Sequence, residues 1–249
     1  MDLHRLLGLL LLSTVLRPNR WFFRSDPYLW TAHVSGTATI GDITVPVETG
    51  SAGLFSQISF LGNLFVEVGR NRWSGAFEIG NISFDNNTEV GGSAPTGTSV
   101  GYSYRIFLLR LLGVYRVTAL EASQGVSIFA GARYISHDMD VDSSLGPPDL
   151  DLAFSEAWFD PVVGVRYHTP LPGNFMVTVS GDVGGFGVGS EFSWSTTGVL
   201  GWRFSRRVGI TLGYRYMSVD YKNSGSGSSD SFAYEGNQHG LMLGVLLAL

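Results

Sequence analysis

Cysteine is absent, lysine occurs once, at Lys222, and charged residues of every kind make up only 15% of the 249-residue chain. The first absence excludes thiol catalysis, Cys-ligated zinc and any disulfide framework. The shortage of charge sets the chain apart from soluble domains, in which roughly 25% of residues are charged. A net charge of −5 argues against a nucleic-acid-binding face, and no nucleic-acid partner is expected. Past the N-terminus no run of 18 apolar residues occurs, although mean hydropathy is +0.16, and no transmembrane helix is expected.

Glycine (33 residues) and aromatics (13%) are plentiful instead. Val, Ile, Thr, Phe, Tyr and Trp recur in short blocks punctuated by Gly, Asn, Asp and Ser, a strand texture with hardly a helix-period stripe. The N-terminus differs. His4 and Arg5 precede an apolar stretch, Leu6 to Val15, of signal-peptide length, but RPNRWFFRSDP (Arg17 to Pro27) stands where a small-residue cleavage site belongs. Residues 1–25 are therefore read as a signal-like segment with its cleavage point open, and 26–249 as one barrel domain.

Links between blocks alternate between tight and long. Gly69–Trp73, Val117–Ser123, Thr169–Asn174 and Ser205–Arg207 are tight. Asp85–Gly97, Asp138–Asp151, Gly184–Glu191 and Val219–Ser231 are long and polar. That asymmetry predicts an all-β, up-and-down antiparallel transmembrane β-barrel. Strands are expected near 29–41, 61–70, 73–84, 98–116, 123–137, 154–169, 174–184, 191–205, 207–219 and 232–248. The count is about ten, with eight as the alternative and an extra hairpin or short helix open for Gly41–Phe60.

Parity shows which way the faces point, because successive strand residues face opposite sides. Ala157, Phe159, Pro161, Val163, Val165 and Tyr167 share one apolar face; Glu156, Trp158, Asp160, Arg166 and His168 share the other. Val208, Ile210, Leu212, Tyr214 and Tyr216 likewise oppose Gly209, Thr211, Gly213, Arg215 and Met217. The apolar face carries the large residues and the polar face Gly, Ser, Thr and charge, which is inside-out packing.

This decodes a repeated word, Gly–x–Arg–aromatic, at Gly131–Tyr134, Gly164–Tyr167, Gly201–Phe204 and Gly213–Tyr216. Gly leaves room in the lumen, Arg points into it, and the final ring faces lipid. Lumenal Arg133, Arg166, Arg203 and Arg215 then meet Glu67, Glu78, Glu156, Asp160 and Asp182, a near-balanced set expected to plug a narrow barrel as a charge network. Arg105 and Arg110 lie in a block, Tyr102 to Val117, whose alternation fails, and neither is assigned a face.

WFDPVVGVRY (Trp158–Tyr167), SGDVGGFGVGSEFSW (Ser180–Trp194), GWRFS (Gly201–Ser205) and GYRYMSVDY (Gly213–Tyr221) together resemble predicted bacterial outer-membrane β-barrel proteins, of the OmpA-like membrane-domain and small porin-family kind. The resemblance covers residues 125–249 well, 28–124 more weakly, and nothing earlier. It implies a Gram-negative outer-membrane location and, as partners, outer-membrane lipid, lipopolysaccharide and the barrel-assembly machinery. Chains of that family commonly end in an aromatic residue, where this one has Leu249.

Other motifs carry less. GDVGGFGVGSEF (Gly181–Phe192) lacks the Lys and following helix of a phosphate loop and reads as a loop or a close strand crossing. His4, His33, His137, His168 and His239 have no metal spacing, and the acidic HDMDVDSS and DLD tracts lack the glycine and final Glu of a calcium loop. Neither cofactor nor metal is expected. A rim hydrolase would draw on His137, Asp138, Asp140, Glu191 and Asp220; nothing in sequence brings them together, and no enzymatic activity is expected. The reading is a side-chain-plugged barrel with a structural or surface-interaction role. A small pore or hydrophobic-solute channel is the alternative.

Overall fold

The computed structural model describes residues 20–41, 43–48, 62–89, 99–142, 152–223 and 231–248. The signal-like segment before Arg20, the stretch 49–60, the DLD tract and Leu249 lie outside the described residues. Twelve strands follow in chain order: β1 (Trp21–Trp30), β2 (His33–Ile40), β3 (Ile43–Glu48), β4 (Asn63–Arg70), β5 (Trp73–Glu89), β6 (Ser99–Arg116), β7 (Gly125–Asp142), β8 (Leu152–Leu171), β9 (Phe175–Gly185), β10 (Phe192–Arg203), β11 (Val208–Asn223) and β12 (Phe232–Ala248).

They form a closed barrel of ten staves, because two staves are each made of two strands. β12 pairs with β1 through Met242–Ala248 and with β2 through Phe232–His239. β4 lies beside β1 and β3 beside β2, so these four strands supply two staves and the β1–β12 pairing closes the ring. At the break between β1 and β2, Thr31 N–H donates to the Leu241 carbonyl at 2.9 Å and keeps the seam stitched. Gly240 sits opposite, where a Cβ would strike the Thr31 carbonyl.

The first stave begins at Trp21, eight residues before the expected start at 29, and takes in residues 21–25 of the segment read as signal-like. The reason is local. Trp21 and Phe23 face outward while Phe22, Arg24, Asp26 and Tyr28 face inward, so Arg24 is a lumenal residue. Within Gly41–Phe60 the extra hairpin arm exists as β3, joined to β2 through Gly41 at φ 58°.

Short turns gather at one end. Asn71 (φ 58°) turns β4 into β5, and Gly173 (φ 77°) with Asn174 (φ 67°) turns β8 into β9. By the usual arrangement of bacterial barrels this end is periplasmic and the long-link end extracellular. At the extracellular end β5, β7 and β11 run on to Glu89, Asp142 and Asn223, well into links read from sequence as loops.

The outward face carries two rings of aromatics. In β6, β8 and β10 they are Phe107 and Tyr115, Phe159 and Tyr167, Trp194 and Trp202, eight residues apart in each strand. Tyr134 touches Phe159 in the upper ring, and Trp73 touches Tyr115 in the lower. Between the rings the outward residues are mostly aliphatic or small, such as Leu109, Leu111, Val163 and Val165, with Phe77 and Tyr214 the aromatic exceptions. Such a belt on a closed barrel is the surface that lipid covers.

Above the upper ring the outward face turns polar. Ser103 donates to Asp85 and Ser155 to Asp138, each at 2.6 Å, and Lys222 lies 3.7 Å from Asp220. The inward face of the same segment is apolar: Val34, Val47, Tyr104, Ile106, Ile135, Met139, Val219, Phe232 and Tyr234 form one buried cluster. The lumen is thus not uniformly polar, as parity alone suggested. Where the exterior leaves lipid for water, burial has to come from the interior.

Candidate functional site: the lumen

The block Tyr102–Val117 alternates after all. Its even positions, Tyr104, Ile106, Leu108, Arg110, Leu112, Val114 and Arg116, all point inward. The pattern was unreadable because both faces are apolar there. Arg110 is lumenal, and Arg105 is exposed on the outer face.

Arg110 proves central to the charge network. Its guanidinium spans Glu78 on β5 (3.0 Å) and Asp182 on β9 (3.1 Å). Arg215 from β11 binds the other Glu78 oxygen at 2.5 Å, and the Tyr28 hydroxyl donates to that oxygen at 2.6 Å. Arg133 on β7, fully buried, reaches Asp182 at 3.0 Å and lies 3.8 Å from Asp160 on β8. Hydroxyls satisfy the remaining lone pairs: Ser195 donates to Asp182 at 2.5 Å and Ser193 to Asp160 at 2.8 Å. Three carboxylates and three guanidiniums from six staves thereby cross the lumen, level with the upper aromatic ring, since Arg110, Arg133 and Asp160 are register partners one step from Leu109, Tyr134 and Phe159. A buried charge is tolerable only when paired and hydrogen-bonded in this way.

The glycine-dense stretch Gly181–Phe192 roofs this network. Gly185, Phe186 and Gly187 take positive φ, folding the turn inward so that Ser190 donates to Asp160 through both its N–H and its hydroxyl, each at 2.7 Å. A Cβ at Gly189 would strike the Phe159 carbonyl, so the chain comes this close only as glycine.

The four repeated words divide between two levels. β7 and β11 rise toward the extracellular end, so Tyr134 and Tyr216 fall on the upper ring and Arg133 and Arg215 enter the network. β8 and β10 descend, so Tyr167 and Phe204 fall at the lower ring, with Arg166 and Arg203 near the periplasmic mouth. Arg166 there meets Glu67 at 2.7 Å, with Ser74 donating to the same carboxylate at 2.6 Å. Arg203 meets no carboxylate among the described residues. Glu156 stands apart from both groups, above the network, taking hydrogen bonds from Tyr221 and Asn223.

Below the network lie two cavities. One of about 90 Å³ adjoins Glu78, Arg110 and Arg215; the other, of about 520 Å³, opens at the periplasmic end. Above it, Trp158 stacks on Tyr221 with ring centroids 3.8 Å apart, and His137 packs between Trp158 and Tyr234.

The five hydrolase candidates do not converge. His137 is buried in the lumen against the Tyr104 hydroxyl. Asp138 and Asp220 are engaged by outer-face neighbours, Asp140 is exposed on the outer face, and Glu191 is exposed in the β9–β10 turn. Of the other histidines, His33 and His239 touch each other near Tyr216, and His168 lines the larger cavity; His4 lies outside the described residues.

No family model and no curated protein matches the chain. Its fold does match solved structures. The outer membrane protease OmpT from Escherichia coli aligns with a TM-score of 0.63 at 9% identity, over 93% of this chain and 97% of that one. A major outer membrane protein from Thermus thermophilus aligns at 0.44 and 14% identity, over 92% and 100%. The translocator domain of the autotransporter NalP from Neisseria meningitidis aligns at 0.44 and 12% identity, over 98% and 95%. The chain has the fold of bacterial outer-membrane β-barrel proteins.

Proposed function

We propose that this protein is an integral, non-conducting barrel of the bacterial outer membrane with a structural or surface-interaction role and no catalytic one. One observation carries the reading: Glu78, Asp160 and Asp182 are bridged across the lumen by Arg110, Arg133 and Arg215, directly beneath an aromatic and aliphatic plug. An ion entering from either side would have to displace buried ion pairs or shed its water among apolar side chains, and both are costly. The projecting segment presents a polar outer surface to the cell exterior, where lipopolysaccharide headgroups or another surface would meet it. Barrel-assembly machinery is the expected partner in biogenesis. The scatter of the rim carboxylates and His137 speaks for a role other than hydrolysis.

The test is conductance in planar bilayers. The intact protein is expected to give negligible single-channel current; stable, sizeable current would overturn the reading and favour a pore. Arg133→Ala, which leaves Asp160 and Asp182 short of a counter-charge, is expected to admit a small cation-selective leak. Arg166→Ala acts below the network, on the Glu67 pair alone, and is expected to stay silent.

A further inference from the structure

The cavity at the periplasmic end has a charge balance unlike the rest of the lumen. Among the described residues eight arginines line it, and Glu67 brings the one carboxylate side chain. Arg166 is neutralised by Glu67, and Arg24 lies 3.4 Å from Asp26. Arg72 and Arg116 donate to main-chain carbonyls, which satisfies hydrogens but cancels no charge. Arg203, Arg206 and Arg207 have no guanidinium partner among the described residues, and the buried Nε of Arg203 donates to nothing. Arg24 and Arg203 carry like charge into the same cavity, as do Arg72 and Arg116, the first of which donates to the carbonyl of the second at 3.2 Å. Like charges held together at a partly desolvated site oppose folding and invite an anion. Apolar side chains, Phe22, Val114, Met176 and Leu246, line the same cavity between the arginines.

We infer that this vestibule is a binding site for a phosphate ester bearing an apolar group. The free guanidinium forks match phosphate oxygens two at a time, and a phosphate brings both the charge and the acceptors that the cluster lacks. The apolar side chains of the lining take the substituent. A cavity of about 520 Å³ has room for both. The inference is independent of whether the network above conducts, because the site opens to the periplasm on its own.

The test uses the full chain in phosphatidylcholine nanodiscs, titrated with methyl phosphate and hexyl phosphate by calorimetry. Saturable one-to-one binding is expected, tighter for hexyl phosphate. Arg203→Gln and the double variant Arg206→Gln/Arg207→Gln should each weaken it about tenfold, the loss expected for a charge-assisted pair. These residues hold nothing else in place, so heat-modifiable gel migration should be retained. Arg105→Gln, the same charge change on the outer face, should leave binding untouched. Adding phosphatidylglycerol to the nanodisc separates the sources: competition with hexyl phosphate identifies an inner-leaflet headgroup as the natural ligand, and its absence a soluble ester. Lack of saturable binding, or equal loss in Arg105→Gln, would overturn the site. Equal affinity for the two esters would overturn the apolar subsite.

Discussion

Below the upper aromatic ring the barrel packs with large apolar residues outside and charge within; above it the same strands, in unbroken register, pack the other way. β7 shows the change within a few residues. Ile128 and Tyr134 face lipid while Ser127 and Arg133 face the lumen; then Asp138 and Asp140 face water while Ile135 and Met139 are buried. No bulge or shift of parity intervenes between Arg116↔Ser127 and Gly101↔Asp142. The solvent changes, and the composition of each face follows it. Inside and outside in a membrane barrel are therefore local properties of height, not properties of a face.

Substitutions can break this comparison, and the largest effect should come from the layer where the two regions meet. Arg133→Ala leaves Asp160 without a guanidinium and Asp182 with Arg110 alone, both buried, and should cost about 3–5 kcal/mol, less if water enters. Urea titration of barrels folded into lipid would measure it; a loss under about 1 kcal/mol would mean that the network is solvated. Next is Val163→Arg, at a residue 47% exposed and midway between Phe159 and Tyr167. An Arg at the bilayer midplane should cost about 2–4 kcal/mol. The matching change at Ser155, on the same strand and face but above the ring, should cost within about 0.5 kcal/mol of nothing. Equal penalties at the two positions would erase the distinction between the regions. Between these lies the interior of the projecting segment, where Ile135→Val should cost about 0.5–1.5 kcal/mol through the lost methyl and its cavity.

Where one face was wet and the other apolar, the sequence was easy to read. β8 and β11 gave their orientation by parity, and the lumenal Arg133, Arg166, Arg203 and Arg215 followed from it through the repeated word. β6 was opaque because its lumenal side carries Ile106, Leu108, Leu112 and Val114, so that neither side looked polar and Arg110 was missed. The upper ends of β5, β7 and β11 read as loops because their outward residues are polar, and polar alternation outside a membrane looks like a link. The partition of the four lumenal arginines depends on strand direction as well as sequence. Words of the same pattern lie at opposite membrane edges because their strands run opposite ways. A sharper signal existed for the vestibule: Arg72, Arg116, Arg203, Arg206 and Arg207 all lie in or beside the tight links, and tight links share one end of a barrel.

The eight-residue interval between aromatics in β6, β8 and β10 has a consequence for where the molecule is at ease. Eight residues of strand extend about 26 Å, and a tilt near 40° brings the height between rings to roughly 20 Å. Rings prefer the headgroup boundary, so a bilayer with a thicker hydrocarbon layer would have to thin around the barrel, at a fraction of a kcal/mol for each ångström of mismatch. The interval acts as a gauge of membrane thickness, set by side chains that take part in neither network nor cavity. It favours the thinner of two membranes offered to the same chain.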